Sequence, residues 1–419
     1  IGFDNSIPQG GSDQAVIVFN IVTEGATSPL SATEFTFNTN GTDDVADLTS
    51  AKLYFTGGNG QFSTDEQFGD AISNPDGELT FTDDMDLVSG NNYFWLAYDI
   101  ASDATLGNLA DGEAVNVSIY SPADDETTIY NATDGAPEGG REIKAPLAGT
   151  YYIGEGEADY PNLAAIFQDA NILGLSDDVT CEIVSDITEE TGATLVEWGE
   201  VGDGDYSWTI THDGTPRTIT LENLLIFDGA DNVTIDGSEG DDNYLTINNT
   251  AGYSGVLFIS NSAYDPTDDE SEDDGLGAND NTVMNCNINV TPNSEIGAAG
   301  VGFLGTANNN SVVKYCDITG ATFGVVHESG EDLEIMGNNI GSDDPDMYIQ
   351  VNGIVALYST GDSYIRNNHI FNIVQTYNNS DGLAGIRTFG SEGAVFAHNK
   401  IENIINNTWW GSRGISVEG

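Results

Sequence analysis

The sequence predicts an all-β protein with two domains, an antiparallel β-sandwich over residues 1–145 and a right-handed parallel β-helix over residues 146–419. Three observations predict this fold class. Short alternating apolar stretches separated by turn residues fill the first region, and one segment recurs at intervals of 22 to 31 residues in the second. A single short amphipathic helical pattern lies near the start of the second region, where a capping helix is expected.

The first region consists of short strands. Apolar and polar residues alternate in residues 15–22, 34–38, 51–55 and 92–98, which is the period of a strand with one buried face. Turn clusters such as the glycine-rich residues 57–60 separate these stretches. Short strands joined by frequent turns are typical of an antiparallel sandwich.

The order of these stretches also resembles a known domain. Residues 8–14, 31–42, 51–57 and 92–99 are similar, in this order, to the N-terminal domain of BNR-repeat neuraminidases. The resemblance implies a β-sandwich accessory module of large secreted surface proteins, often from Bacteroidetes-type bacteria. It does not imply sialidase activity, because that activity belongs to a propeller with S-x-D-x-G-x-x-W boxes, and this sequence has no such box.

The pattern changes around residues 141–147, where we place the domain boundary. Apolar residues at helical spacing then predict a short helix: Leu163, Ile166, Phe167 and Ala170. Pro161 fits the first turn of this helix, and Gly174 fits its end. The segment D-Y-P-x-L-x-A-I resembles the opening of pectin-lyase-like right-handed β-helices, in which a helix caps the otherwise exposed first rung.

A repeat defines the second region. Five segments align without gaps, and each closes on an isoleucine: Ile288, Ile318, Ile340, Ile370 and Ile401. Their intervals of 30, 22, 30 and 31 residues each suit one coil of a parallel β-helix with variable loops. A glycine followed by an apolar residue begins a further strand after each segment: Gly300, Gly324, Gly353, Gly385 and Gly414.

One corner of the coil carries a small or amide side chain two residues before each closing isoleucine: Cys286, Cys316, Asn338, Asn368 and Asn399. We expect asparagines stacked there to pass amide hydrogen bonds from rung to rung. Cysteine at the same corner fits as a small buried side chain. Because rungs lie ~4.8 Å apart, a Cys286–Cys316 disulfide is sterically conceivable, but it is the less favoured interpretation.

Composition restricts the partners and the location. The chain has 69 acidic and 9 basic residues and a net charge of −60, which excludes nucleic acid and anionic membrane surfaces, since both require Lys and Arg for binding. No apolar run approaches the roughly 20 residues of a spanning helix, so we expect no membrane insertion. The charge fits a salty or calcium-rich exterior, although plain solubility explains it equally well. We expect an extracellular or cell-surface protein whose leader peptide has already been removed.

Calcium is the cofactor that the sequence suggests. Residues 265–275 carry seven carboxylates, and five aspartates among them are candidate metal ligands: Asp265, Asp268, Asp269, Asp273 and Asp274. A bound Ca²⁺ would gather a segment that otherwise extends by self-repulsion. The segment lacks the spacing of an EF-hand, and a solvated acidic loop is the favoured interpretation.

Rare basic residues lie at outward positions of the predicted coil. Alternation predicts one outward column of Met284, Lys314, Met336, Arg366 and Ala397, and a second of Asn287, Asp317, Asn339, His369 and Lys400. From these columns we take a candidate catalytic group: Lys314, Asp317, Arg366 and His369. A polysaccharide lyase needs a base and a cation that neutralises the uronate. A mixed polar solvent face explains the same residues and is favoured.

Other histidines and aromatic residues are less specific. His212 and His327 are expected to be structural. Tyr377, Trp409 and Trp410 fit either an exposed platform for stacking sugars or a plug at the end of a rung.

These observations favour a secreted or cell-surface bacterial protein with a structural or adhesive role, as a stalk, filament or carbohydrate-contacting module of a larger assembly. Its expected partners are glycans, other surface proteins or copies of itself packed end to end. The alternative is a polysaccharide lyase or glycoside hydrolase with its site on the β-helix face, for which a charge of −60 favours neutral glycans. Because no cap follows the last strand pattern, we also expect more protein beyond Gly419.

Overall fold

The computed structural model describes residues 6–25, 28–190, 192–201, 204–240, 242–260, 277–292, 297–375, 383–406 and 411–418. The chain divides into two compact units, Ile1–Pro146 with Ile172–Gly174 and Leu147–Asn171 with Leu175–Gly419. The first unit is built from antiparallel sheets and the second from a parallel coil. The predicted all-β fold class is therefore confirmed.

The first unit is a sandwich of two four-stranded sheets with a short three-stranded sheet. Its strands are β1 (Ile7–Pro8), β2 (Gln14–Thr23), β3 (Ser31–Asn38), β4 (Leu48–Phe55), β5 (Ile72–Ser73), β6 (Glu78–Asp86), β7 (Gly90–Ile100), β8 (Leu109–Ala110), β9 (Glu113–Ser121), β10 (Glu126–Asn131) and β11 (Arg141–Lys144). The sheet orders are β2-β7-β4-β5, β10-β9-β3-β6 and β1-β11-β8. A 3-10 helix, Val45–Asp47, precedes β4.

An aromatic core joins the two larger sheets. Phe35 of β3 and Phe94 of β7 are buried, and their ring centroids lie 4.4 Å apart. Phe55 and Phe68 contact the same Phe94 ring at 4.7 and 5.7 Å. The alternation in the sequence thus marks the inner face of each strand, where aromatic rings from both sheets interlock.

The second unit is a parallel coil of three sheets, named here sheets I, II and III. Sheet I contains Leu147–Ile153, Leu175–Ile183, Trp208–His212, Val233–Asp236, Thr282–Met284, Val312–Lys314, Glu334–Met336, Tyr364–Arg366 and Val395–Ala397. Sheet II contains Ile187–Glu190, Arg217–Leu221, Leu245–Asn249, Cys286–Val290, Asp317–Thr319, Asn339–Ile340, His369–Gln375 and Lys400–Asn406. Sheet III contains Ala193–Val196, Leu225–Asp228, Val256–Ile259, Ala299–Leu304, Phe323–His327, Asn352–Leu357, Leu383–Phe389 and Ser412–Glu418.

Each turn of this coil adds one strand to each sheet, and successive strands of a sheet pair in parallel. Side chains at one register position therefore stack in columns along the coil. The interior column of Phe227, Phe258 and Phe303 shows this, with ring centroids 4.8 and 4.9 Å apart. Outside the three sheets lie the pairs Ser238–Glu239 with Asp242–Asn243 and Gly330–Glu331 with Ser359–Thr360, and a 3-10 helix, Pro345–Met347.

The corner between sheets I and II carries the predicted amide ladder. The side-chain Nδ2 of Asn338 donates to Asn368 Oδ1, and that of Asn368 donates to Asn399 Oδ1, each at 3.0 Å. The Cys316 N–H donates to Asn338 Oδ1 at 2.9 Å. Cys286 and Cys316 are buried free thiols. The amide ladder and the favoured interpretation of the cysteines are both confirmed.

Four glycines near the start of sheet III strands lie too close to the next rung to carry a side chain: Gly300, Gly324, Gly353 and Gly385. A Cβ added to Gly324 would lie 2.4 Å from the carbonyl oxygen of Gly353 and 2.4 Å from Cγ2 of Ile340. Gly353 has the same surroundings one rung later, with Ile370 Cγ2 at 2.4 Å and the carbonyl oxygen of Gly385 at 2.7 Å. Close backbone approach, rather than a special backbone angle, requires glycine at this position.

Helix α1 (Leu163–Leu173) covers the first rungs of the coil, as the sequence predicts, but Pro161 precedes the helix instead of lying in its first turn. It stops before Gly174, which has a φ of +66°. The Phe167 ring lies 5.5 Å from that of Trp208 and 5.8 Å from that of Phe227, so it extends the interior aromatic column. The helix thereby closes an apolar end of the coil.

A buried carboxylate of sheet II holds the first turn of α1. Glu190 is fully buried, and its Oε2 accepts the Leu163 N–H at 2.8 Å. Burial raises the pKa of this carboxyl, while the backbone hydrogen bonds from Leu163 and Ala164 act in the opposite direction. The free N–H groups at the helix start thus obtain an acceptor from a neighbouring rung.

Candidate functional site

Two outward columns run along neighbouring faces of the coil. In sheet I the strand register aligns Met284, Lys314, Met336, Arg366 and Ala397. In sheet II it aligns Asn287, Asp317, Asn339, His369 and Lys400. Both predicted columns are confirmed. Of the candidate catalytic residues, Lys314 and Arg366 belong to sheet I, whereas Asp317 and His369 lie across the corner on sheet II.

Arg366 is held in an ion pair on sheet I. Its Nη2 donates to Glu334 Oε1 at 2.7 Å. Its guanidinium carbon also lies 5.3 Å from the ring centroid of Tyr364, within range of a cation–π contact. Glu334 and Tyr364 are register partners on adjacent rungs. The arginine charge is therefore balanced by a carboxylate of its own sheet.

His369 belongs to a charged cluster on sheet II with Lys400 and Glu402. Glu402 Oε1 lies 2.8 Å from His369 Nε2 and 2.7 Å from Lys400 Nζ. The hydrogen bonds from Lys400 and His369 hold the pKa of the Glu402 carboxyl below its usual range. Because a carboxylate only accepts hydrogen bonds, the His369 tautomer that bonds to Glu402 is the one with its proton on Nε2.

The surroundings of His369 also include an aromatic ring and the lysine amine. The imidazole stacks on Phe371, with centroids 4.5 Å apart and an interplanar angle of 20°. Lys400 Nζ lies 3.3 Å from His369 Nε2. A basic nitrogen, an imidazole and a carboxylate are thus within hydrogen-bond reach of one another on an outward face, which is a set of groups that can transfer protons.

Asp317 and Lys314 make separate contacts. Asp317 Oδ1 accepts from Asn339 Nδ2 at 2.7 Å, and Lys314 is aligned between Met284 and Met336. Within the described ranges, no hydrogen bond or ion pair joins any two of the four candidate catalytic residues. Asp317, Arg366 and His369 instead have partners outside this group. The catalytic role of the four residues stays a prediction.

Sequence reasoning does not find Glu334 and Glu402 as partners of the candidate residues. Glu402 had a signal, because the alternation that turns Lys400 outward also turns Glu402 outward two residues later. Glu334 begins the strand Glu334–Met336, but its partner Arg366 is 32 residues away. A loop of variable length lies between them, so their contact does not follow from local spacing.

Polar side chains on sheet II also link successive rungs. Asn289 Nδ2 donates to Asn248 Oδ1 at 2.8 Å, and Thr319 Oγ1 donates to Asn289 Oδ1 at 2.9 Å. Together with the Asp317–Asn339 bond, these contacts extend along the coil axis. We call this set of outward side-chain bonds the sheet II ladder.

The residues predicted to bind calcium, Asp265, Asp268, Asp269, Asp273 and Asp274, lie outside the described residues, so the calcium prediction remains untested. In the part of the chain that the structure describes, no group of three or more His, Cys, Asp or Glu side chains has the arrangement needed to hold a metal ion. Tyr377, Trp409 and Trp410 also lie outside the described ranges.

His212 and His327 have structural roles, as expected. His327 is fully buried, and its Nε2 donates to the Asn308 carbonyl at 3.1 Å while Nδ1 lies 2.8 Å from Ser359 Oγ. Burial lowers the pKa of His327 to about 4, so the ring is neutral at physiological pH. His212 Nδ1 accepts the Gly214 N–H at 3.0 Å, which closes a turn.

Residues 5–121 match the family model of the N-terminal domain of BNR-repeat neuraminidase. The predicted resemblance of this region is confirmed, and a parallel β-solenoid follows it. Among the described residues, no helix is long and apolar enough to cross a membrane.

Solved structures give two distant similarities. The structure of Hadza microbial sialidase Hz136 aligns with a TM-score of 0.25 and 12% identity, over 34% of this chain and 30% of that chain. The structure of pectate lyase Pel9A aligns with a TM-score of 0.32 and 10% identity, over 63% of this chain and 79% of that chain. At these TM-scores, neither alignment supports an argument about function. Comparison with curated proteins gave no match.

Proposed function

We propose that this protein is an extracellular bacterial surface module in which the coil has a structural or adhesive role and the protein contacts neutral carbohydrate. The sheet II ladder is the observation that carries the structural role. Its outward polar groups bond to one another from rung to rung, so they reinforce the coil rather than converge on a reacting group. The neuraminidase-associated family of the sandwich supports the carbohydrate context.

Charge favours a neutral glycan over an acidic one. The net charge is −60, and two of the basic side chains of the candidate face are paired with carboxylates, Arg366 with Glu334 and Lys400 with Glu402. A uronate or sialate would meet long-range repulsion with few unpaired cations to offset it. A neutral sugar offers hydroxyl groups to amide and hydroxyl side chains without this cost.

Binding of the intact chain to immobilised neutral, sialylated and uronate-containing oligosaccharides tests this proposal. We expect saturable binding to neutral glycans, weaker binding to acidic ones, and no consumption of either. Tighter binding to uronates than to neutral sugars, at physiological salt, would contradict the charge argument. No binding to any glycan would contradict the carbohydrate-contacting role.

A second candidate function is a polysaccharide lyase or glycoside hydrolase. The group of His369, Lys400 and Glu402 on an outward face favours it, because an imidazole hydrogen-bonded to a carboxylate can act as a general acid or base. Lyase activity would release products with a new carbon–carbon double bond, and hydrolase activity would release new reducing ends. His369→Ala and Arg366→Ala should then abolish product formation, while Asn287→Ala should retain it, because Asn287 is in the same column as His369 but its side chain bonds, among the described residues, only to Asn243 and Thr246. Equal activity of all three variants would refute this candidate.

We also propose testing Ca²⁺ binding at Asp265, Asp268, Asp269, Asp273 and Asp274. Ions that gather carboxylates stabilise the folded state by mass action. Unfolding with Ca²⁺ and with chelator should therefore differ, and charge-neutralising Asp→Asn substitutions at these positions should remove the difference. Identical unfolding in both conditions would indicate a solvated acidic loop.

A further inference from the structure

The sandwich has an incomplete edge. Strand β2 is the outer strand of its sheet and β10 is the outer strand of the opposite sheet. From Phe19 to Thr23, the main chain of β2 bonds among the described residues only to β7, through the strand pairing and through Asn92 Nδ2, which donates to the Ile21 carbonyl at 3.2 Å. All of β10 is exposed, and among the described strands it pairs with β9 alone. Two strand edges are thus available on this side of the unit.

The core-facing side of β10 is not covered by the opposite sheet. Tyr130 is the register partner of Val117, and Thr128 is that of Ile119. Val117 and Ile119 belong to the buried core, and partners in an antiparallel pair point to the same face. Tyr130 therefore points towards the core side, yet it is 54% exposed. A sandwich that buried this side would need one more strand next to β2.

A cavity of about 720 Å³ occupies this position. Its apolar lining comes from both sheets and includes Phe19, Ile21, Val117, Ile119 and Tyr130. Its polar lining includes the carboxylates of Glu24 and Asp134, and no Lys or Arg lines it. The neighbouring Ile129 points the other way and is not part of the lining. The cavity is therefore an apolar groove with acidic residues beside an open strand edge.

We propose that this groove binds an extended basic peptide segment of another protein, which adds a strand to β2 and places alternate apolar side chains against Tyr130 and Ile119. Unpaired main-chain edges select a polypeptide rather than a sugar, because a strand can continue the ladder of N–H and C=O groups. The period of two in such a strand turns every second side chain into the apolar groove.

The acidic residues of the groove favour a partner with basic side chains. Glu24 and Asp134 line the groove, and the chain carries −60. Basic residues at the alternate, outward positions of the added strand would be attracted, whereas acidic residues would be repelled. A second copy of this chain carries the same charge, which opposes self-association through the groove.

A peptide series tests the three parts of the proposal. The probe is a fluorescein-labelled Lys-Val octapeptide with alternating residues, titrated with the full chain and followed by fluorescence anisotropy. Its matched controls are the Glu-Val octapeptide and a fully N-methylated Lys-Val octapeptide. We expect binding of the first peptide and loss of about tenfold or more in affinity with either control, because one control reverses the charge and the other removes the main-chain donors.

Two protein variants locate the binding site. Tyr130→Ala should weaken binding of the Lys-Val peptide about tenfold, as expected for a central aromatic contact. Ile129→Ala changes the adjacent residue, which is 65% exposed and lies on the opposite face of β10, and should leave affinity within about twofold. Unchanged thermal unfolding of both variants would show that the sandwich remains folded.

Three outcomes would overturn the proposal. Binding that survives full N-methylation would indicate charge attraction without strand addition. Equal effects of Tyr130→Ala and Ile129→Ala would place the peptide elsewhere. Dimerisation of the chain that Tyr130→Ala abolishes, measured by sedimentation, would identify a second copy as the occupant.

Discussion

The sandwich and the coil bury their interiors in different ways. In the sandwich, Phe35 and Phe94 meet from opposite sheets at a tilt of 44° and are surrounded by further rings. In the coil, Phe227, Phe258 and Phe303 lie in a column, with successive rings within 18° and 10° of parallel. A sandwich residue therefore belongs to a three-dimensional cluster, whereas a coil residue chiefly meets the same position one rung before and after it.

This difference indicates where each unit is most vulnerable. The sandwich depends on the volume of a few large side chains. Truncating one of them leaves a cavity at the centre of the core, where contacts are lost on all sides. The coil depends on the residues at its corners. The short distance between rungs leaves no room for an added side chain there, and a buried polar group that loses its hydrogen bond has no water to replace it. Hydrogen exchange measured separately for each unit shows which unit each of the following substitutions destabilises.

The largest effect is expected for Phe94→Ala in the sandwich. Phe94 is fully buried and contacts the rings of Phe35, Phe55 and Phe68. Its truncation should lower the free energy of unfolding of this unit by about 3–5 kcal/mol. Val22→Ala, at an exposed position of β2, is the matched control and should change it by less than about 0.5 kcal/mol. Equal losses in both variants would show that the aromatic cluster is not the main source of stability.

Asn338→Ala should have the largest effect in the coil. The substitution removes the acceptor of the Cys316 N–H, and it also removes the Nδ2 donor to Asn368 Oδ1 and to the Val313 carbonyl. A buried unpaired donor and the lost ladder should together cost about 3 kcal/mol, with faster hydrogen exchange at this corner. The neighbouring Asn339 is exposed, and Asn339→Ala should have a much smaller effect. If the Cys316 N–H still exchanges slowly in the Asn338→Ala variant, the amide ladder does not stabilise this corner.

Gly324→Ala should destabilise the coil by about 2 kcal/mol, because its new Cβ overlaps the backbone of the next rung. Gly414 has the equivalent position in the last described rung, where no atom of a described residue other than its chain neighbours lies within 4 Å of an added Cβ. Gly414→Ala should therefore be close to neutral. If both substitutions cost the same, glycine would be needed at this position for backbone conformation rather than for close approach.

Glu190→Gln should have the smallest effect, and that effect should depend on pH. Burial raises the pKa of Glu190 in the folded state, so the folded protein binds this proton more tightly than the unfolded chain does. The carboxylate therefore costs stability that increases as pH rises above the ordinary pKa of glutamate and disappears at lower pH. Glutamine keeps an acceptor for the Leu163 N–H without the buried charge.

The measurement that checks this is the difference in unfolding free energy between Glu190→Gln and the native chain across pH 4 to 8. The variant should gain relative stability as pH rises and match the native chain at the acidic end. A Glu190→Ala variant removes the acceptor and should be destabilised at every pH. A constant difference for Glu190→Gln would mean that Glu190 does not titrate with an elevated pKa.

The coil could be predicted in detail because its signal is repeated. Five segments carry the same apolar and amide positions, so Asn338, Asn368 and Asn399 could be aligned before their hydrogen bonds were known. The two outward columns followed from the same alignment, including Arg366 on one face and His369 on the next. Each rung repeats the same pattern of residues, so each one supports the same alignment of strands.

The contacts of the candidate site could not be predicted in the same way. Arg366 bonds to Glu334, which belongs to the preceding rung, and the length of the intervening loop does not indicate this pairing. The sandwich groove is a similar case. Nothing in the short stretch around Tyr130 indicates that its core-facing side lacks cover, because that depends on how the edges of two sheets are offset.

By itself, the sequence determined the fold class, the period of the coil and the side of each strand that faces inwards. These properties are local and repeated, since alternation marks a buried face and the spacing of equivalent residues marks a rung. Only the tertiary structure decided that His369 shares Glu402 with Lys400 and that an apolar groove remains open between β2 and β10. Both features arise from distances between segments far apart in the chain, which no local pattern encodes.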